Sequence, residues 1–218
     1  MKEKMLTLVI FFVTYSSSYG QQNIVFADDF AEYLKDWKLV NTKEFTVSQD
    51  SGMLSFKKKT NNRINNGCLW YKRTISNFYA DRDFSIAFTA NSLSSESASH
   101  LFDFQWGKMQ EYDGIKRTVI YQLDFTLNKV RLGRFELHKG WKYYSWSNET
   151  TNPLISRFIL ERDSFNIYEI IQQEKLLIVK INAQVVYITT IEPLPGSEIG
   201  CLQGFKGEWQ LDNLIIKH

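Results

Sequence analysis

Phe102-Asp103-Phe104-Gln105-Trp106 alternates apolar and polar residues, and Tyr121-Gln122-Leu123-Asp124-Phe125-Thr126-Leu127 does the same. A period of two places successive side chains on opposite faces of an extended chain, so each run reads as a half-buried β-strand. Residues 129–137 continue the pattern, with Val130 and Leu132 on one side and Arg131 on the other. Further out, Phe84-Ser85-Ile86-Ala87-Phe88, Leu177-Ile178-Val179-Lys180-Ile181 and the run from Leu211 to Ile216 repeat it. Turn residues fall between the runs: Ser51-Gly52, Asn65-Asn66-Gly67, Asp113-Gly114, Lys139-Gly140 and Pro195-Gly196. No helical period is sustained, and residues 29–37 hold at most one short turn. About a dozen short strands with regular turn signals predict an all-β domain, a two-sheet antiparallel β-sandwich or jelly roll.

Of the 218 residues, 44% are apolar and 23% charged, which is ordinary for a globular chain and excludes disorder. The formal charge is 26 − 24 = +2, and the longest basic block is Lys57-Lys58-Lys59, so no nucleic-acid partner is expected. Lys2 and Lys4 precede an apolar run from Met5 to Val13 broken only by Thr7, and a polar stretch ends at Ser18-Tyr19-Gly20. This is the order of a secretory signal, so residues 1–20 are expected to be cleaved and residues 21–218 to form one domain. The apolar run is shorter than the roughly 20 residues a spanning helix needs, so no membrane insertion is expected after cleavage. No cysteine stands at the cleavage site to carry a lipid, and the expected location is secreted or periplasmic. Cys68 and Cys201 are free to pair in such a compartment or to remain buried thiols, and the sequence leaves both open.

An ordered set of short motifs runs through the mature chain: Val25-Phe26-Ala27-Asp28-Asp29-Phe30, Gly52-Met53-Leu54, Asp83-Phe84-Ser85-Ile86, Phe104-Gln105-Trp106-Gly107, Ile181-Asn182-Ala183-Gln184-Val185 and Leu211-Asp212-Asn213-Leu214. The set resembles the concanavalin A-like lectin and glucanase superfamily, in particular its small exported bacterial modules. That resemblance implies a jelly roll whose first and last strands lie close together. It also implies a glycan as the natural class of ligand, in a superfamily that holds lectins, glycosidases and binding modules, so that fold alone does not fix function. Several relatives hold a structural Ca²⁺ near the joined ends. The resemblance would place its oxygen ligands at Asp28, Asp29 and Asp212, and no other cofactor is implied. Relatives carry Asn-Gly where this chain has Asn182-Ala183. If the hairpin is a tight one with φ > 0, Ala183 is strained by about 1 kcal/mol.

Glycosidases of this kind carry Glu-x-Asp-x-x-Glu on one strand, so that alternation turns the carboxylates into one cleft. Glu111-Tyr112-Asp113 is followed by Lys116 in the third place, and Glu161-Arg162-Asp163 by Asn166. Neither motif is complete, and both read as solvated loop charge. His100, His138 and His218 show no metal-ligand spacing. What remains is a binding surface. The outward sides of three consecutive strands assemble Asp103, Gln105, Gln122, Asp124 and Arg131, whose amide, carboxylate and guanidinium groups match sugar hydroxyls. The aromatic run Trp141-Lys142-Tyr143-Tyr144-Ser145-Trp146 follows at once, and Trp141, Tyr144 and Trp146 are the rings available to stack on a sugar. The expected function is therefore non-catalytic carbohydrate binding on a concave sheet face. A glycoside hydrolase with a non-standard carboxylate arrangement is one alternative, and an adhesion module that meets a protein partner is the other.

Overall fold

The computed structural model describes residues 23–32, 37–60, 69–95, 100–112, 115–138, 141–146, 150–151, 160–161 and 164–218. For 69–70, 109–112, 115–117, 137–138, 141–146 and 150–151 it describes the backbone alone. The signal segment 1–20, Cys68 and the turns at 65–67, 113–114 and 139–140 lie outside the described residues.

The described chain forms two antiparallel sheets and no α-helix. The first sheet takes β1 (Ile24–Asp28), β2 (Val40–Asn41), β3 (Phe45–Asp50), β4 (Met53–Lys58), β6 (Phe84–Ser95), β12 (Asn166–Gln173), β13 (Leu176–Ile181), β14 (Gln184–Thr190) and β16 (Gly207–Lys217). Its order is β14-β13-β12-β6-β16-β4-β3-β2, with β1 also on β16. The second takes β5 (Leu69–Thr74), β7 (His100–Tyr112), β8 (Ile115–Thr126), β9 (Lys129–His138), β10 (Trp141–Trp146), β11 (Thr150–Thr151) and β15 (Glu198–Gln203). Its order is β10-β9-β8-β7-β15-β5, with β11 also on β9.

The first and last strands are neighbours, as the resemblance implies: Asp28 faces Leu214 and Ile24 faces Lys217. β16 lies inside its sheet. It pairs with β6 along one side, and with β4 and β1 end to end along the other. Phe84, Ile86, Phe88 and Ala90 of β6 and Phe102, Phe104 and Trp106 of β7 point between the sheets. Phe88 stacks on Phe104 at 4.9 Å, and Phe102 on Trp209 at 4.6 Å, so the layers are joined by aromatic pairs. Trp37, Trp106 and Trp209 are all core residues, as their apolar settings predict. Each fully buried ring of this size stabilises the fold by about 1.5–3 kcal/mol.

Two hairpins show the cost of tight turns. Ser51 and Gly52 join β3 to β4 with φ of 52° and 76°. Asn182 and Ala183 join β13 to β14 with φ of 49° and 65°, so the hairpin does take the tight form and Ala183 sits in the left-handed region. Asn182 anchors the loop: its Oδ1 accepts from Ile167 N at 2.9 Å, and its Nδ2 donates to Asn166 Oδ1 at 2.8 Å.

Candidate functional site

The polar row expected from alternation assembles on the outer face of the seven-stranded sheet. Asp103 faces Asp124 and Gln105 faces Gln122 across β7 and β8. Asp124 faces Arg131, and Gln122 faces Gly133, across β8 and β9. Antiparallel register thus converts three separate sequence runs into adjoining cross-strand rows.

The row is not the solvated surface that its sequence pattern predicts. Asp103, Gln105, Gln122 and Asp124 are 4%, 2%, 4% and 2% exposed, and Thr118 and Thr126 of the same face are buried too. Only Arg131 keeps substantial water access, with 30% of its side chain exposed. Burying amides and carboxylates is costly unless they find partners, and the row supplies many of its own. Gln105 Nε2 donates to Gln122 Oε1 at 2.8 Å. Arg131 Nε donates to Asp124 Oδ2 at 2.7 Å, and its Nη2 reaches the same oxygen. Gln105 Oε1 and Asp124 Oδ1 remain without hydrogen-bond donors.

A residue that the sequence reading passed over completes the cluster. His100 opens β7, and a bulge between it and Phe102 breaks the alternation, placing it opposite Thr126. Its Nε2 lies 3.3 Å from Asp103 Oδ2 and 3.5 Å from Asp124 Oδ1. The Asp103 carboxyl is pushed up to about 6, first by burial and further by the Asp124 charge, against the lowering effect of His100. Strict alternation would have sent His100 into the core beside Phe102. A polar residue immediately ahead of a strand was the only sign of the bulge.

The aromatic run forms β10 on β9. Trp146 faces Gly133 and Tyr144 faces Phe135. Positions 144 and 146 therefore belong to the same face as Gln122 and Gln105, and position 146 continues their row. Trp141 faces His138, which faces Arg117, a position of the opposite parity. The register thus separates Trp141 from the row, because an odd–even offset within one strand changes face. The side chains of β10 lie outside the described ones.

The three aspartates expected to hold Ca²⁺ are differently employed. Asp28 Oδ1 accepts from Phe30 N at 2.8 Å, while Oδ2 accepts from Trp37 Nε1 at 2.5 Å and lies 3.6 Å from Arg73 Nη1. Both of its oxygens are committed and a guanidinium stands beside it, so Asp28 does not fit a calcium site. Asp29 Oδ1 accepts from Ala31 N at 3.1 Å, and Asp212 accepts from Asn213 through both oxygens at 2.7 Å. Partial burial raises the Asp212 carboxyl, and the nearby Asp29 charge adds to this. Asp29 and Asp212 are thus engaged in local turn bonds.

Among the near-miss carboxylates, Glu161 is exposed in a loop, where its Oε2 accepts from Ser164 Oγ at 3.1 Å. Cys201 is a buried free thiol, raised in pKa by its burial.

The fold is a jelly-roll sandwich of the concanavalin A-like, galectin-like kind. No family model matches the sequence, and no curated protein matches it detectably. Solved structures do resemble it. The carbohydrate-binding module CBM66 from Bacillus subtilis superposes with a TM-score of 0.54 at 10% identity, covering 85% of this chain and 98% of its own. A Bacillus subtilis protein with a galectin-like fold gives 0.57 at 12%, covering 89% and 95%. The kappa-carrageenase from Pseudoalteromonas carrageenovora, solved with a carrageenan oligotetrasaccharide, gives 0.53 at 9%, covering 94% and 98%. At these identities the likeness is one of fold.

Proposed function

We propose that this chain is an exported carbohydrate-binding domain, and that it holds a glycan over the outer face of the seven-stranded sheet. One observation carries the reading: a sheet face that is polar and yet sequestered. A purely structural outer face would be solvated, and a second core layer would be apolar. Here paired amides and a carboxylate–guanidinium pair lie side by side, and among the described residues Gln105 Oε1 finds no donor. Sugar hydroxyls supply donors of that kind. Arg131, the member with water access, is the natural first contact, and positions 144 and 146 continue the face onto β10. The similar binding module and the glycanase supply support at the level of fold. The signal-like segment at 1–20 supports export.

The test is a glycan array on the mature chain, followed by titration of the best ligand. Trp146→Ala and Gln122→Leu should each weaken binding at least tenfold while their melting curves stay cooperative. Folded variants that bind normally would remove this face from the function.

A second reading, a glycoside hydrolase, is favoured by one specific feature. Asp103, with its raised pKa, stands across from an aspartate held in an ion pair, and an oxygen of each lies within 4.8 Å of the other. Retaining glycosidases separate their two carboxyl groups by about 5–5.5 Å. Release of reducing ends from the array-positive glycan, abolished in Asp103→Asn, would establish hydrolysis in place of simple binding.

A further inference from the structure

We infer that His100, Asp103 and Asp124 form a binding site for a divalent cation of the zinc class. This site does not depend on the glycan reading. Among the described residues, these three bring one imidazole nitrogen and two carboxylate oxygens within 4.8 Å of one another, and all three residues are buried.

The two spacings from the imidazole are those of ligands around an ion, and the two carboxylate oxygens, within 4.8 Å of each other, would close on it as it binds. Zinc-type bonds to nitrogen and oxygen are about 2.1 Å, and in a tetrahedron that sets donor atoms about 3.4 Å apart. His100 Nε2 lies 3.3 Å from Asp103 Oδ2 and 3.5 Å from Asp124 Oδ1. A charge-assisted N–H···O bond would draw its atoms to about 2.7–2.9 Å. His100 makes only a long hydrogen bond of 3.3 Å to Asp103 Oδ2, and among the described residues Asp124 Oδ1 makes no hydrogen bond although its side chain is almost wholly buried. An unpartnered carboxylate oxygen is thus aimed into the cluster. Arg131 occupies the other oxygen of Asp124, so Oδ1 is free to ligate.

Charge agrees with geometry. With His100 neutral, as a metal ligand must be, two buried carboxylates face one guanidinium, and a divalent cation would offset the negative charge that remains. The donor set decides the class. One imidazole with two carboxylates suits zinc, cobalt or manganese, whereas Ca²⁺ takes six to eight oxygens. Three protein donors leave a fourth tetrahedral position for water or a ligand hydroxyl. His100 Nδ1 has no hydrogen-bond partner, so the imidazole lacks the outer bond that usually fixes a ligating histidine. Such bonds are worth about 10–100-fold in affinity, so this site should bind its ion that much more weakly than one whose histidine is so fixed.

The experiment uses the mature chain, stripped with chelator and titrated at pH 7.5 with Zn²⁺ by calorimetry and with Co²⁺ by absorption. One equivalent of Zn²⁺ should bind, and Co²⁺ should develop the intense visible bands of a tetrahedral site. His100→Gln and Asp103→Asn should each weaken Zn²⁺ binding at least tenfold and abolish the cobalt bands. His138→Gln, at the far end of β9, should change neither. A folded wild-type chain that binds no Zn²⁺, a cobalt spectrum like that of the aqueous ion, or full binding in a folded His100→Gln protein would each overturn the site. Should either variant fail to fold, the cobalt spectrum of the wild-type chain still decides.

Discussion

Arg131 and Asp124 face each other across β8 and β9, and both Nε and Nη2 of the arginine converge on the single oxygen Oδ2. The carboxylate is buried and the guanidinium is not, so the pair works one way. Removing the arginine strands a buried charge, whereas removing the aspartate leaves a cation that can turn to water.

Arg131→Met should therefore destabilise the fold by about 2 kcal/mol. That is below the roughly 3–5 kcal/mol expected for a fully buried pair, because water still reaches the arginine. Asp124→Asn should cost about 1 kcal/mol or less, and the double variant should recover most of the loss of the single Arg131 change. Urea denaturation of the three proteins measures this, and additive losses would show that the two residues are not coupled.

Ala183→Gly should stabilise the chain by about 0.5–1 kcal/mol. Ala183 holds a φ of 65°, which costs an L-residue about 1–2 kcal/mol, and glycine gives part of that back through its freer unfolded state. A lowered midpoint would mean that the alanine methyl group contributes something its backbone does not reveal.

His218 clasps the far end of the sandwich. Its Nε2 accepts from Tyr79 N at 3.0 Å, and its Nδ1 donates to Asp83 O at 2.7 Å, which fixes the neutral Nδ1–H tautomer. Its ring stacks on Phe78 at 5.8 Å. His218→Ala should cost about 1 kcal/mol by thermal melting, the ordinary net worth of a lost hydrogen-bond pair at a partly exposed site. Deleting residues 211–218 should instead abolish cooperative folding, because it strips β6 and β1 of their shared partner. Retained cooperative melting after that deletion would refute the pairing scheme.

Trp209→Ala should cost about 3–5 kcal/mol, since its ring stacks on both Phe56 at 4.5 Å and Phe102 at 4.6 Å and is fully buried. A loss under 1 kcal/mol in denaturant titration would show that the core collapses around the gap.

Much of this arrangement is written in the alternation. Phe102, Phe104 and Trp106 go inward, while Asp103 and Gln105 share the other face with Gln122, Asp124 and Arg131, because pleating enforces a period of two. Alternation tells which residues share a face and is silent on whether that face meets water, so the burial of the row was not legible. The bulge at His100 was hidden for a related reason: an extra residue leaves no mark in a local pattern and is fixed by pairing with β8. Asp28 is expected as a metal ligand only through the family resemblance, which is blind to the partners this chain gives it. Its actual partners, Trp37 and Arg73, come from elsewhere in the chain.

The place of β16 also sets a timetable for the chain. Residues 207–217 form an interior strand, and β6, β4 and β1 all wait for it. Hairpins such as β7–β8–β9 and β12–β13–β14 pair with their sequence neighbours, but β6, which carries Phe84, Ile86 and Phe88, lacks one of its two neighbours until β16 arrives. Pairings between such distant segments form slowly, and their exposed strands invite aggregation while they wait. The keystone of the nine-stranded sheet is therefore laid after the stones on either side of it.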